Sequence, residues 1–214
     1  MLRRLIALIV VCSMLAGSMS GCALIIQKGR RSDLERIMSL EDQLRAMRDA
    51  RNDLEKSLRD NSNKEIDNGS IKLEMKEKGL VITVLAEVLF DSGKAVLRTD
   101  SSPVLREVSN MLTGRLSEFK VGIEGHTDND PIQKSNWKSN WELSVHRALS
   151  VLHVLIDNGV SPSRLSVLGF GEYTPVVPNN SKTNKQVNRR VEIVVYPHTS
   201  LTKKDVDKFE EYFK

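Results

Sequence analysis

The sequence is poor in the groups that catalysis and metal binding draw on. Its 214 residues include two cysteines and four histidines, and neither a G-x-S-x-G elbow nor an H-E-x-x-H pair occurs. Hydrolysis requires a nucleophile with its base, or two carboxylates with separated pKa values, so nothing here calls for an enzyme or a cofactor. Charge of one sign is also missing: 32 Lys and Arg face 28 Asp and Glu, for a net +4. Two of those positive charges, Arg3 and Arg4, lie in a segment expected to be removed. The balance leaves no electrostatic footprint for nucleic acid. With 40% hydrophobic residues, the chain has room for one ordinary globular domain plus something extra.

The extra part begins at the N-terminus. Met1-Leu-Arg-Arg4 is followed by an apolar run from Leu5 to Ala16 and then by small residues up to Gly21, the pattern of an export signal over residues 1–21. That run is shorter than the roughly 20 residues that span a bilayer, but continuation through Ile26 lengthens it enough for an uncleaved membrane helix. Cleavage before Cys22 leaves one cysteine, at the new N-terminus, and so no disulfide within the chain. The stretch "SMSGC" resembles the bacterial lipoprotein signal, with Met19 where Leu is usual. The resemblance implies acylation of Cys22, palmitate included. Ala23 in place of aspartate implies the outer membrane. Basic residues flank residues 5–26 on both sides, so charge does not orient an uncleaved helix.

Residues 22–32 read as a tether. From Ile37 the apolar positions fall into a heptad, with Ile37, Leu44 and Leu58 at a, Arg51 interrupting, and Leu40, Met47 and Leu54 at d. Residues 33–60 are thus a short coiled coil able to pair two copies of the chain, or a lone helix packed on its own domain. Residues 61–70, "NSNKEIDNGS", read as a polar linker. Residues 71–197 form the compact domain. Ile71, Leu73 and Met75, then Leu80, Ile82 and Val84, alternate as a hairpin; a turn at Asp91–Gly93 leads to a helix over 101–113 with Asp100 as N-cap. Strands follow at 119–124, 165–168 and 191–195. Ser139-Asn-Trp-Glu142 is a capping box opening a long helix that ends at Asn158-Gly159. The succession predicts an α+β two-layer sandwich with a mixed sheet. In the tail, 198–214, Val206, Phe209 and Phe213 suggest a small packing helix.

The densest chemistry lies in "EGHTDNDPI", residues 124–132. His126, Asp128 and Asp130 alternate and could share one face, but a zinc site wants three or four convergent ligands and the other histidines are scattered. On the long helix, Asn140, Ser144 and Arg147 share one face. Arg147 there offers a planar fork to a carboxylate. With Asp128 opposite, the pair would suit a zwitterion; alternatively the two simply pair with each other.

The segments "LFDSGKAVL" (89–97), "IEGHTDNDPI" (123–132), "SNWELSVHRALSVLHVLIDNGVSPSRLSVLGFGEYTPVVPNN" (139–180) and "NRRVEIVV" (188–195) together resemble the OmpA-like peptidoglycan-binding domain. The spelling of the third, and the insertion after Asp128, resemble its flagellar stator branch. The resemblance implies a βαβαββ fold with helices on one face, no catalysis, and no metal. It implies that Asp128 and Arg147 clasp the zwitterionic end of meso-diaminopimelate in the peptidoglycan stem. Asn140, Gly93, Thr127, Ser144 and Arg189 are implied around them, with Gly93 acting only through its backbone. His126 is implied to shape the loop. Of Arg189 and Arg190, at least one is expected to be structural. The whole then reads as a lipid-anchored protein tethering the outer membrane to the wall from the periplasmic side. A motor-type or secretion-associated inner-membrane protein using the same wall anchor, or a metal-dependent enzyme, are the alternatives. A proton-carrying stator needs a buried acidic residue in its membrane helix, and residues 5–26 hold none.

Overall fold

The computed structural model describes residues 33–60, 69–133 and 137–198. The export signal, Cys22, the tether, most of the linker and the terminal helix all lie outside them. Residues 33–60 form one helix, α1. Then come β1 (Ile71–Lys76), β2 (Gly79–Leu85), the short α2 (Ala86–Leu89), α3 (Ser102–Thr113), β3 (Lys120–His126), α4 (Asn140–Asp157), β4 (Leu165–Gly169), α5 (Lys182–Asn188) and β5 (Arg190–Tyr196). The strands make one mixed sheet in the order β1-β2-β5-β3-β4, with only β3 and β4 parallel. The expected sandwich is present. Two short helices, α2 and α5, were not foreseen, since four and seven residues carry too little periodicity to register.

Period-two alternation builds the core. Leu80, Ile82, Val84, Val121, Ile123, Val191, Ile193 and Val195 all join one buried cluster with Val104, Leu105, Val108 and Leu112 of α3 and Ala148, Val151 and Leu155 of α4. Met47, Ala50, Leu54 and Leu58 belong to the same cluster, at 0–3% exposure. The heptad read from Ile37 onward is therefore spent, from Met47 on, inside its own domain rather than on a partner helix. Contact density accordingly places the start of the compact unit at Gln43 and not at Ile71.

Two local features fix the long helix. The Ser139 side chain accepts the amide of Glu142 at 3.3 Å, while the Glu142 carboxylate accepts the amide of Lys138 at 2.5 Å. This is the expected capping box, displaced by one residue on its return arm. Gly125 and Gly169 then let α4 lie against β3 and β4. A Cβ on Gly125 would sit 2.0 Å from the Ser144 carbonyl oxygen, and one on Gly169 2.8 Å from its Oγ. The N-cap assigned to Asp100 is not realised. A 3₁₀ turn, Thr99–Ser101, precedes α3, and Asp100 is held by Arg98 at 2.8 Å. The far end of α3 is capped from a distance: the Arg164 guanidinium donates to the carbonyls of Leu112, Leu116 and Phe119 at 2.5–2.9 Å.

Candidate functional site

At the carboxyl end of β3, the chain leaves the sheet between α4 and the 90–97 loop. A cavity of about 820 Å³ opens there, lined among others by Phe90, Gly93, Lys94, Thr127, Asp128, Asn140, Arg147 and Arg189. Six of the seven residues expected to bind ligand therefore meet at one place. The exception is Ser144, fully buried, whose hydroxyl donates to the Trp141 carbonyl and accepts the Gly171 amide at 3.1 Å. It fastens the 170–174 turn to α4 and does not line the cavity.

Asp128 and Arg147 are 5% and 3% exposed, yet no ion pair joins them among the described residues. Asp128 Oδ2 takes Arg189 Nη1 at 2.5 Å and Oδ1 takes the Asp130 amide at 3.2 Å. The partner of the carboxylate is thus Arg189, just before β5, and not the helix arginine. Arg147 donates Nε to the Lys94 carbonyl at 3.0 Å and lies over the Phe90 ring, 5.3 Å from its centroid. Its Nη1 is buried with no hydrogen-bond partner among the described residues. Burial, together with repulsion from Arg189 and against attraction by Asp128, lowers the guanidinium to about 10.

The surrounding loops are held from several directions. Gly93 adopts φ 68°, the left-handed conformation of its turn. Its carbonyl accepts Trp137 Nε1 at 2.9 Å, while the Trp137 ring packs on His146, which leaves the amide as the backbone group for a ligand. Ser150 donates to the Ala95 carbonyl at 2.5 Å, a second tie between α4 and the same loop. Thr127 bonds the Gly171 carbonyl through its amide at 2.8 Å, and its hydroxyl closes on the Asp128 carbonyl. Asn140 Nδ2 reaches the Asp130 carbonyl at 3.0 Å and Glu172 at 2.6 Å. Asn188, fully buried, holds the amides of Val176 and Val177 and thereby seats the residue before Arg189. Trp137 and Asn188 were not singled out from sequence. Only their place inside or beside the quoted motifs pointed to them.

The shared face expected for His126, Asp128 and Asp130 is not formed. His126, the last residue of β3, turns to the opposite side of the sheet, where Nδ1 meets the Thr174 hydroxyl at 2.8 Å and the ring stacks on Phe170. Asp130 pairs with Lys185 at 2.6 Å. His126 instead stands near Glu124 and Glu192, three donors within 4.8 Å of one another. Lys78 Nζ already sits 2.7 and 2.9 Å from the two carboxylates, and Arg190 holds Glu192 at 2.7 Å. The chain supplies its own cations there, so the cluster is an ion-pair network on the sheet. Burial opposes the charge of Glu192, but Lys78 and Arg190 outweigh it and hold the group at about 2; burial pushes His126 down to about 3. Arg190, 4% exposed and fully bonded, is the structural member of the two arginines.

The OmpA family model matches residues 89–189, which span the cavity from its first loop to Arg189. The chain is 33% identical over 122 residues to the outer-membrane lipoprotein YfiB of Pseudomonas aeruginosa, covering 57% of this chain and 70% of that protein. The chain belongs to the OmpA family. It is also 40% identical over 128 residues to motility protein B of Bacillus subtilis, covering 59% of this chain. It spans about half of that relative's length (49%). The crystal structure of a putative MotB-like protein from Desulfovibrio vulgaris superposes with a TM-score of 0.66 at 31% identity, over 74% of this chain and 99% of that one. OmpA family proteins of this kind are structural, peptidoglycan-binding proteins and not enzymes.

Proposed function

We propose that this OmpA family domain grips the stem peptide of peptidoglycan noncovalently, through the zwitterionic end of meso-diaminopimelate. The observation that carries the reading is the buried Nη1 of Arg147, without a partner among the described residues, in a cavity that also holds Asp128. A carboxylate supplies what that guanidinium lacks, as a charge-assisted and geometrically matched pair. Asp128 receives the ammonium. Its carboxylate has about four acceptor positions, and the two bonds it makes leave room for a third donor beside Arg189. Asn140, Thr127 and the Gly93 turn hold these two groups at their spacing. Ser144 acts one step back, through Gly171.

The same reading places the chain in the periplasm, anchored through acylated Cys22 in the outer membrane and tethering it to the wall; the lipoprotein relative supports this. Self-association through residues 33–44 is compatible with it, since Ile37 and Leu44 are 51% and 39% exposed. The motility relative favours a second reading, an inner-membrane protein anchored to the wall by the same domain. Against its proton-carrying form stands the lack of any acidic residue in 5–26. Pull-down with purified peptidoglycan tests the site: Asp128→Ala and Arg147→Ala abolish retention with the far-ultraviolet spectrum unchanged, and full retention by either variant refutes the assignment. Intact mass of the membrane-extracted chain separates the anchors, because only the lipoprotein begins at Cys22 with added acyl mass.

A further inference from the structure

Beside the cavity stands an aromatic pair that neither the core nor the site uses. Trp141, in the first turn of α4, and Tyr173 stack at 5.1 Å with 22° between their planes. They remain 47% and 63% exposed. Neither the indole Nε1 nor the phenol hydroxyl has a hydrogen-bond partner among the described residues. Trp137 is the contrast: its Nε1 is bonded to Gly93 and its ring is stacked on His146. Exposed stacked aromatics with unused polar edges contribute little to folding and suit a partner with an apolar face and a polar rim.

The pair is also held in a fixed place. Gly171, at φ 54°, brings its backbone under the indole; a Cβ there would lie 3.5 Å from Trp141 Cδ2. Asn140 and Glu172, the residues immediately before Trp141 and Tyr173, bond each other at 2.6 Å. Asn140 lines the cavity, so the platform begins one residue, about 3.8 Å along the chain, from the proposed peptide site. A pyranose ring is flat, carries C–H groups on its faces and hydroxyls at its edge, and so matches this surface.

We propose that Trp141 and Tyr173 form a sugar platform for the glycan strand whose stem peptide occupies the cavity, with Glu172 at the hydroxyl edge. The inference rests on the peptidoglycan reading above. Three stem residues contribute about 10 Å of chain, and the lactyl link and the diaminopimelate side chain add to it, so one strand can serve both places at once. Its contribution is avidity between two linked contacts rather than a tighter peptide grip.

Calorimetry of the full chain with two soluble probes tests this: the free stem tripeptide ending in meso-diaminopimelate, and the same tripeptide on its disaccharide. The wild type is expected to bind the disaccharide form about tenfold more tightly, the factor one aromatic contact provides. Trp141→Ala/Tyr173→Ala removes that margin and leaves tripeptide affinity within about twofold. A margin that survives the double variant overturns the platform and leaves the pair to a protein partner. Equal loss on both probes overturns it too, making the pair a support of the cavity. Wild type that binds the tripeptide without a margin sinks the platform alone, whereas wild type that binds neither probe sinks the peptidoglycan reading and the platform with it.

Discussion

Replacing Arg147 by Met separates a ligand-holding charge from a structural one. Burial and Arg189, partly offset by Asp128, lower the guanidinium from its ordinary value to about 10. At 1.36 kcal/mol per pH unit this is roughly 3 kcal/mol of unfavourable burial. Against it stand the bond to the Lys94 carbonyl, about 1.5–3 kcal/mol for a charged donor, and the Phe90 contact, about 0.5–1 kcal/mol. The terms nearly cancel. Met keeps most of the side-chain volume, and exposed Lys94 lets water take over its carbonyl. Arg147→Met is therefore expected to change urea-unfolding stability by no more than about 1 kcal/mol, where loss of a buried side chain commonly costs 2–5. Binding of the stem tripeptide should meanwhile fall at least 100-fold, as for one half of a buried charge pair. Arg164→Met is the internal control: it strips three carbonyls at the end of α3 and should cost about 2–3 kcal/mol with binding intact. A loss above about 3 kcal/mol for Arg147→Met, or tripeptide binding that survives it, would refute the reasoning.

Three further outcomes follow from the same geometry. Folded His126 stays neutral down to about pH 3, whereas an unfolded imidazole takes its proton near 6.5; the unfolded state binds more protons in that window, so stability falls as pH drops, by about 2 kcal/mol between pH 7 and 5. Denaturant titrations should show His126→Gln losing most of this slope, and an equal slope in the variant contradicts the burial argument. Gly125→Ala places a methyl within 2.0 Å of the Ser144 carbonyl oxygen, and melting should register a loss of at least about 3 kcal/mol; near-wild-type stability would mean that α4 does not lie where its contacts put it. Because Asp128 already has Arg189 and Arg147 Nη1 has no partner among the described residues, amidating the ligand's side-chain carboxylate should cost more affinity than removing its ammonium. Calorimetry with the two analogues decides it, and the reverse order rejects the assigned polarity.

Most of the architecture was legible because it follows from periodicity. The hairpin, the long capped helix and the closing strands sit within one or two residues of where alternation, Ser139 and Gly159 put them. Two things were not legible. The heptad from Ile37 does not say what its stripe faces: Met47, Leu54 and Leu58 satisfy a coiled-coil seam and a domain core equally, and only the buried cluster they join decides. Pair partners were the other. Spacing brought Asp128 and Arg147 to one cavity but could not show that Arg189, 61 residues from Asp128, arrives just before β5 to take the carboxylate first.

That arrival explains why adjacent arginines have different work. Arg190, the first residue of β5, points to the face bearing Glu192 and His126, and spends its donors on Glu192, Asn188 and Thr174. Arg189, just outside the strand, reaches the other way and makes one charged contact, at the cavity, while 37% of its side chain stays exposed. Of the charges gathered there, Asp128 is bonded to Arg189, and Arg147 has no carboxylate partner among the described residues. A carboxylate entering beside Arg147 supplies that partner, and an ammonium can then share Asp128 with Arg189 without leaving a buried charge alone. The zwitterion thus fits in a fixed order of importance, carboxylate first, because the protein has already answered half of Asp128 and none of Arg147 Nη1.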